Sequence, residues 1–281
     1  MSFGFLMRAD APFGEEVWSA IDGAVVQAAR QMLVGRRFLP FTGPLGEGAR
    51  VVPLDSLAEA GGAGLSIFGN EDAPVAALSA RCWVQLPLLY KDFRLEWRDI
   101  EALGQRCAAG DVNGPAYAAG AACARLEDNL IFNGSEPLGL PGLLNVKGRL
   151  EVKGGDLKTP GKALSAVSQA MARLIQNESF EPYALALNPE VYAGLFSVHP
   201  GTARLEIEIL KERCQAGVFQ SSVIPDGQGV VVSVAPHQLD LVVGLDVVTG
   251  YLGPEKMNHG FRVMETVAPR IKKPTAVCAV S

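Results

Sequence analysis

Apolar residues recur three or four positions apart over residues 15–34, with Val17, Ile21, Val25, Ala28 and Met32 on one face, and this spacing predicts an amphipathic helix. Gly35 stands where such a helix would end, followed by Arg36 and Arg37. Residues 45–80 show no helical period. Gly43, Pro44, Gly46 and Gly48 break the chain ahead of them, and Gly61, Gly62 and Gly64 divide them into two extended arms, which reads as a long hairpin. A lone hairpin is marginal in water, so this one needs another surface to lie on. Residues 81–89 read as a strand. Residues 115–132 form the clearest long helix, with Asn113 placed to cap it and Ala119, Cys123, Leu126 and Leu130 on one face.

The Gly- and Pro-rich residues 133–161 mark a boundary. Thr159 is then expected to cap a helix with Pro160 in its first turn and Leu164, Val167, Met171, Leu174 and Ile175 on one stripe. Residues 183–187 read as a short strand. Over residues 204–214, alternation of Leu205, Ile207 and Ile209 suits a strand, while Leu205, Ile209 and Leu210 suit a helix; Lys211 and Arg213 favour the helix. The last third reads as strands at 229–235, 239–244, 261–267 and 276–280. This order lacks the strand–helix alternation of a doubly wound fold. It implies an α+β fold whose terminal segments meet in one layer, with the middle block inserted.

Composition narrows the classes of function. Apolar residues make up 48% of the 281, and 25 Lys and Arg stand against 30 Asp and Glu, a net charge of −5. A nucleic-acid binder is usually basic, so none is expected as a partner. Mean hydropathy is +0.18, high for a soluble monomer. No window holds the roughly 18 uninterrupted apolar residues that span a bilayer, so no membrane is expected either. The apolar excess points to burial between subunits. Arg8 and Asp10 interrupt the amino terminus before an export signal forms. The five cysteines, Cys82, Cys107, Cys123, Cys214 and Cys278, contain no CxxC pair, which fits a reducing cytoplasm rather than a disulfide framework or zinc site.

Catalytic chemistry is sparse. His199, His237 and His259 make no HExxH or i, i+4 pair, and no GxSxG elbow occurs. The stretch from Gly155 to Gly161-Lys162-Ala163 is one residue too long for a phosphate loop and lacks its hydroxyl. Gly61-Gly62-Ala63-Gly64 lacks the third glycine of a dinucleotide fingerprint and reads as a turn. Glu206 and Glu208 stand two apart, so they do not face each other on a helix, and a solvated face is expected. Lys272-Lys273 reads as loop, Trp18 as packing and Cys123 as a buried thiol. No catalytic residue and no metal site are expected.

Four segments together resemble the encapsulins, shell proteins of bacterial and archaeal nanocompartments. They are Arg8, Ala11-Pro12, Trp18, Ile21-Asp22 and Leu33 to Phe38; Gly43-Pro44 with Gly46; Glu127 to Gly134 with Gly139 and Gly142-Leu143-Leu144; and Val243-Gly244, Asp246, Gly250-Tyr251, Glu265-Thr266 and Pro274. Their order and spacing cover nearly the whole chain. The resemblance implies the tailed-bacteriophage major capsid fold, with an amino-terminal helix of the peripheral domain at 1–44, an extended loop at 45–80, more peripheral domain with the spine helix at 81–134, an axial domain at 135–225, and the carboxyl-terminal strands of the peripheral domain at 226–281. It implies a self-assembling icosahedral shell, a homo-oligomer rather than an enzyme. A phage major capsid protein, and further off a secreted bacteriocin or protease, are the alternatives.

The family encloses cargo enzymes, usually a peroxidase or a ferritin-like iron-oxidising protein serving oxidative stress or iron storage, docked by a short carboxyl-terminal peptide. The resemblance places the docking groove between the first helix and the last strands, at Ala29, Arg36, Val248 and Tyr251, with Arg36 as an exposed guanidinium for the peptide. In the expected axial domain, Asn177, Glu178, Ser179, Phe180 and Glu181 lie between helix and strand as a candidate pore loop. No cofactor is expected: Leu89 stands where flavin-binding members carry an aromatic residue, with Tyr90 adjacent and Trp83 too early. The family's tryptophan after Gly-Pro-x-Gly is also replaced, by Glu47-Gly48.

Overall fold

A computed structural model describes residues 4–57, 63–68, 72, 75–104, 112–199 and 202–281. Cys107, Pro200 and the glycines at 61, 62 and 69 lie outside them. The first helix, α1 (Glu15–Met32), buries Val17, Trp18, Ile21, Ala24, Val25 and Ala28. It stops two residues short of position 34. Gly35 does not end it but opens a single 3₁₀ turn, Gly35–Arg37. The cause lies far along the chain: buried Asp128 accepts the N–H groups of Val34 and Gly35 and turns the backbone there.

After β1 (Phe41–Thr42), the hairpin forms from β2 (Val51–Leu57) and β3 (Leu78–Gln85), paired antiparallel from Val51 opposite Gln85 to Leu57 opposite Leu78. The strand expected at 81–89 is instead two. β3 ends at Gln85 and β4 (Leu88–Leu95) starts after Pro87, which has no N–H to continue a ladder. Beyond a short helix, α2 (Trp97–Gly104), the spine helix α3 (Asn113–Asn133) begins at Asn113 itself. Asn113 is therefore its first residue and not its cap, and the preceding Val112 makes no side-chain cap. Ala119, Cys123 and Leu130 are buried as expected, whereas Leu126 faces out. Gly120 lets α3 touch α1: a Cβ there would stand 3.1 Å from the Val25 backbone.

Two sheets carry the body. The first has the order β1-β9-β10-β4, built around the long hairpin of β9 (Leu239–Glu255) and β10 (Asn258–Ile271). α1 and α3 pack on it through Trp18, Ile21, Val25, Ala119, Phe261 and Val263. Gly43, at φ +131°, lets the chain pass β9, since a Cβ would lie 2.1 Å from the Val243 carbonyl oxygen.

The second sheet has the order β5-β11-β8-β6-β7, from β5 (Leu150–Val152), β6 (Tyr183–Leu187), β7 (Gly217–Gln220), β8 (Gly229–Ser233) and β11 (Val277–Val280). Helix α4 (Lys162–Gln176) covers it, with α5 (Pro189–Gly194) and α6 (Glu206–Arg213) alongside. The terminal strands thus do not all meet in one layer. β8 and β11 are apolar on both faces and are buried inside the second sheet, which draws two strands from beyond residue 225.

Three local expectations are corrected here. Thr159 does not cap α4; its hydroxyl donates to Asp156. The helix starts after Gly161, whose N–H goes to the Glu206 carboxylate. Glu206 is therefore not on a solvated face but 1% exposed, because it serves that amide. Ile175, placed on the apolar stripe, faces out.

The hairpin stands away from this body. Apart from partly buried Val84, the residues of β3 are exposed, Trp83 at 63%, and Leu65, Ile67, Phe68 and Val75 on the connecting segment are more exposed still. Among its described residues the root is the part that enters a buried cluster, through Val52 and Leu86 against Val242 and Ala268.

Candidate functional site

A groove of about 400 Å³ runs between the carboxyl-terminal half of α1 and β9. Ala29 and Arg36 line it with Val26, Leu33, Asp246 and Val247. Two of the four expected docking residues are therefore there. Val248 is not: successive strand residues point to opposite faces, and its neighbour Val247 takes the groove side. Tyr251 is buried in an aromatic cluster with Phe13, Trp18 and Phe261, its hydroxyl 2.8 Å from His259 Nδ1. Val26 was legible as an extra apolar residue on the polar side of the helix, at 43% exposure. Leu33, Asp246 and Val247 carried no such signal.

Arg36 is not a free guanidinium. Its Nε donates to Glu127 at 2.8 and 3.0 Å, Nη1 to Asp246 at 2.6 Å and Nη2 to Glu265 at 2.7 Å. Glu127 and Glu265 are fully buried, and only Asp246 reaches solvent. Burial opposes the charge of Arg36, yet its three carboxylate partners raise its pKa. Burial, then the charge of Glu127, pushes the Glu265 carboxyl well above the usual range. One arginine thus ties the spine helix, both strands of the long hairpin and the end of the first helix into one knot beneath the groove floor.

Asp128, next to Glu127, is pushed up to about 6 by burial, against the pull of its two amide donors. Its ordinary value is 3.8, so the native state holds the extra proton between the two, and stability falls as pH rises from about 4 through about 6. The full span corresponds to roughly 3 kcal/mol for this one group. Asp128→Asn is expected to flatten that part of the stability–pH curve. Denaturant melts of wild type and variant at pH 4.5 and pH 7 check this; equal slopes in both would contradict it.

The turn expected at a pore is only partly outward. Glu178, Phe180 and Glu181 are exposed. Ser179 is fully buried beneath Thr275, and Asn177 turns its amide onto the Arg173 carbonyl, so neither presents a free side chain. Lys273 Nζ donates to the carbonyls of Asn177 and Glu178 at 2.7 and 2.8 Å and pins the turn to the body. Lys272 and Lys273, read as loop, are thus structural clamps. Leu89 is a core residue, while Tyr90 is exposed under the Arg262 guanidinium. Cys123 is buried and pushed up to about 12 by desolvation, as an inert thiol would be. Among the described residues no group of three or more His, Cys, Asp or Glu could hold a metal ion. No described helix is long and apolar enough to cross a membrane.

The arrangement of two sheets, a spine helix and a projecting hairpin matches capsid subunits. A virus-like particle from Pyrococcus furiosus aligns with a TM-score of 0.76 at 23% identity, over 94% of this chain and 98% of that one. The capsid of Myoviridae phage XM1 aligns at 0.63 and 14%, over 87% and 90%. The fold is that of a tailed-bacteriophage capsid subunit. The family model for encapsulating proteins for peroxidase matches residues 3–268. The type 1 encapsulin shell protein EncA of Myxococcus xanthus is 41% identical over 98% of this chain and 96% of its own length. A diheme-cytochrome–encapsulin shell fusion protein of Kuenenia stuttgartiensis is 36% identical over 95% of this chain and 73% of its own length. The chain belongs to the encapsulin shell-protein family. It is a structural subunit of a homo-oligomeric compartment that encloses cargo, and not an enzyme.

Proposed function

We propose that this chain builds an icosahedral encapsulin shell in the cytoplasm and holds cargo by a carboxyl-terminal peptide seated in the groove between α1 and β9. The observation that carries the reading is the groove itself, open to solvent, with apolar walls from Val26, Ala29, Leu33 and Val247. An extended segment needs such pockets for alternate side chains and is ordered on docking, so affinity per site is modest. Many sites on one shell still retain a multimeric cargo through high effective concentration. The cargo classes in view are a peroxidase, in the words of the matching family model, and a ferritin-like iron-oxidising protein, in keeping with a ferritin-like–encapsulin shell fusion relative. Val26→Glu places a charge on the apolar wall at an already exposed position. It is expected to leave shells intact and lower the co-purified cargo by about tenfold, the effect of some 1.4 kcal/mol per site. Mass spectrometry of shells co-expressed with the genomic neighbour gives the ratio, and a wild-type ratio would remove the groove as the docking site.

A second surface is proposed at the exposed Glu178 and Glu181, repeated around an opening between subunits. A ring of carboxylates favours cations over anions. Replacing both with Gln is expected to slow entry of a divalent cation into loaded shells; unchanged uptake by intact particles would rule out the pore role.

A further inference from the structure

Asp240 sits directly opposite Arg270 in the β9–β10 register and is 3% exposed. Its carboxylate gathers donors from several segments. Arg270 gives Nε at 2.9 Å and Nη2 at 2.5 Å, Thr42 gives its hydroxyl at 2.6 Å, and Lys272 gives Nζ at 3.1 Å. Burial works against the Asp240 charge, but these partners outweigh it and hold the carboxyl below its usual range. Up to this point the cluster looks like an ordinary buried ion pair in the sheet.

Its remaining donor changes that. Arg270 Nη1 donates at 2.9 Å to the backbone carbonyl of Pro53, on the first strand of the projecting hairpin. Thr42 lies on the other approach, two residues before Pro44 leads the chain out to the hairpin. One planar guanidinium therefore fixes the first hairpin strand to the central strand of the body, and the same carboxylate holds the segment before it. The rest of the root is held differently. The entering segment is fixed ahead of the strands, where the Leu45 and Gly46 N–H groups donate to the Val243 and Gly244 carbonyls. Within the hairpin itself Leu86 N–H closes on the Arg50 carbonyl, and Val52 and Leu86 meet Val242 and Ala268. Apolar contact is non-directional, so it keeps the root attached without fixing a tilt. Guanidinium donors in a rigid fork do fix one.

We propose that Arg270, oriented by Asp240, is the positioning residue that sets the angle at which the hairpin leaves the body, and thereby the subunit geometry that closes a shell of one size. This rests on the reading of the hairpin as an arm that lies on a neighbouring subunit. A small change of tilt at the root is multiplied along a strand pair of seven and eight residues, each rising about 3.3 Å.

The test uses full-length chains. Arg270→Lys keeps a cation for Asp240 but has no fork to reach both Asp240 and the Pro53 carbonyl. It is expected to give folded subunits by circular dichroism, about tenfold fewer closed shells at equal protein concentration, as loss of one charge-assisted hydrogen bond per arm implies, and a spread of particle diameters by electron microscopy. Thr42→Val removes a bond to Asp240 but leaves the Arg270–Pro53 bond in place; it is expected to lower the thermal transition while diameter stays single. Wild-type shell yield and a single diameter for Arg270→Lys would overturn the proposal. Should that variant not fold, Arg270→Gln with Asp240→Asn leaves no unpaired buried charge, and the same two readouts decide. If a chain lacking the hairpin tip still closes wild-type shells, the arm reading itself falls, whatever the Arg270 variants do.

Discussion

Deleting residues 61–69 at the tip of the hairpin is expected to abolish closed shells while leaving a folded subunit. On β3 every side chain but Val84 is exposed, including Trp83, while β2 is half-buried at Pro53, Leu54 and Asp55, and the connecting residues Leu65, Ile67 and Phe68 are almost fully exposed. An isolated chain gains little from them. Their removal is expected to move the thermal transition by no more than about 2 °C, the effect of surface changes near 0.5 kcal/mol in a chain of this size. A shell gains far more, because such apolar side chains are buried only when a second copy covers them. Sedimentation velocity and thermal melts of the deletion variant separate the two effects. A large loss of thermal stability would assign the hairpin to the subunit core, and intact shells would deprive it of any assembly role.

Arg36→Glu is expected to prevent the subunit from folding, rather than to yield empty shells. The substitution would bring a fourth carboxylate among Glu127, Asp246 and Glu265, two of which are fully buried, and would remove their shared cation. Breaking a buried ion pair on one side costs about 3–5 kcal/mol, against a typical total stability of about 5–15 kcal/mol. The variant is expected in the insoluble fraction, with no particles by negative-stain imaging. Intact particles with reduced cargo would instead return Arg36 to the role of an exposed peptide contact.

That contrast shows what the sequence makes legible. α1, α3 and the strand Tyr183–Leu187 announce themselves through local periodicity, because each buries a continuous stripe or a fully apolar run. The lengths of β9 and β10 do not. Asp246, Gly250 and Gly253 interrupt the first, Pro269 and Arg270 the second, and both strands run on because pairing resumes beyond each break, with register shifts at Gly260/Phe261, Met264/Thr266 and Thr266/Val267. Arg36 follows a glycine and precedes another arginine, so it looks like a helix-end cation on the surface. Its partners lie 91, 210 and 229 positions away, and no window contains them. Glu206 misleads in the same way, since the amide it serves is 45 positions earlier. At the groove, Ala29 was reachable from motif position, whereas Val247 in place of Val248 depends on the facing of one strand that local sequence does not fix. Burial of Tyr251 follows from Phe13 and Phe261 closing over it, again a long-range fact.

Closure of a compartment by this subunit can be observed on the chain by itself. The most direct measurement is expression of the chain alone, followed by size-exclusion chromatography and electron microscopy at micromolar concentration. Closed hollow particles of uniform diameter are expected, without any second protein. Monomers or dimers alone, from a chain shown to be folded by circular dichroism, would contradict it.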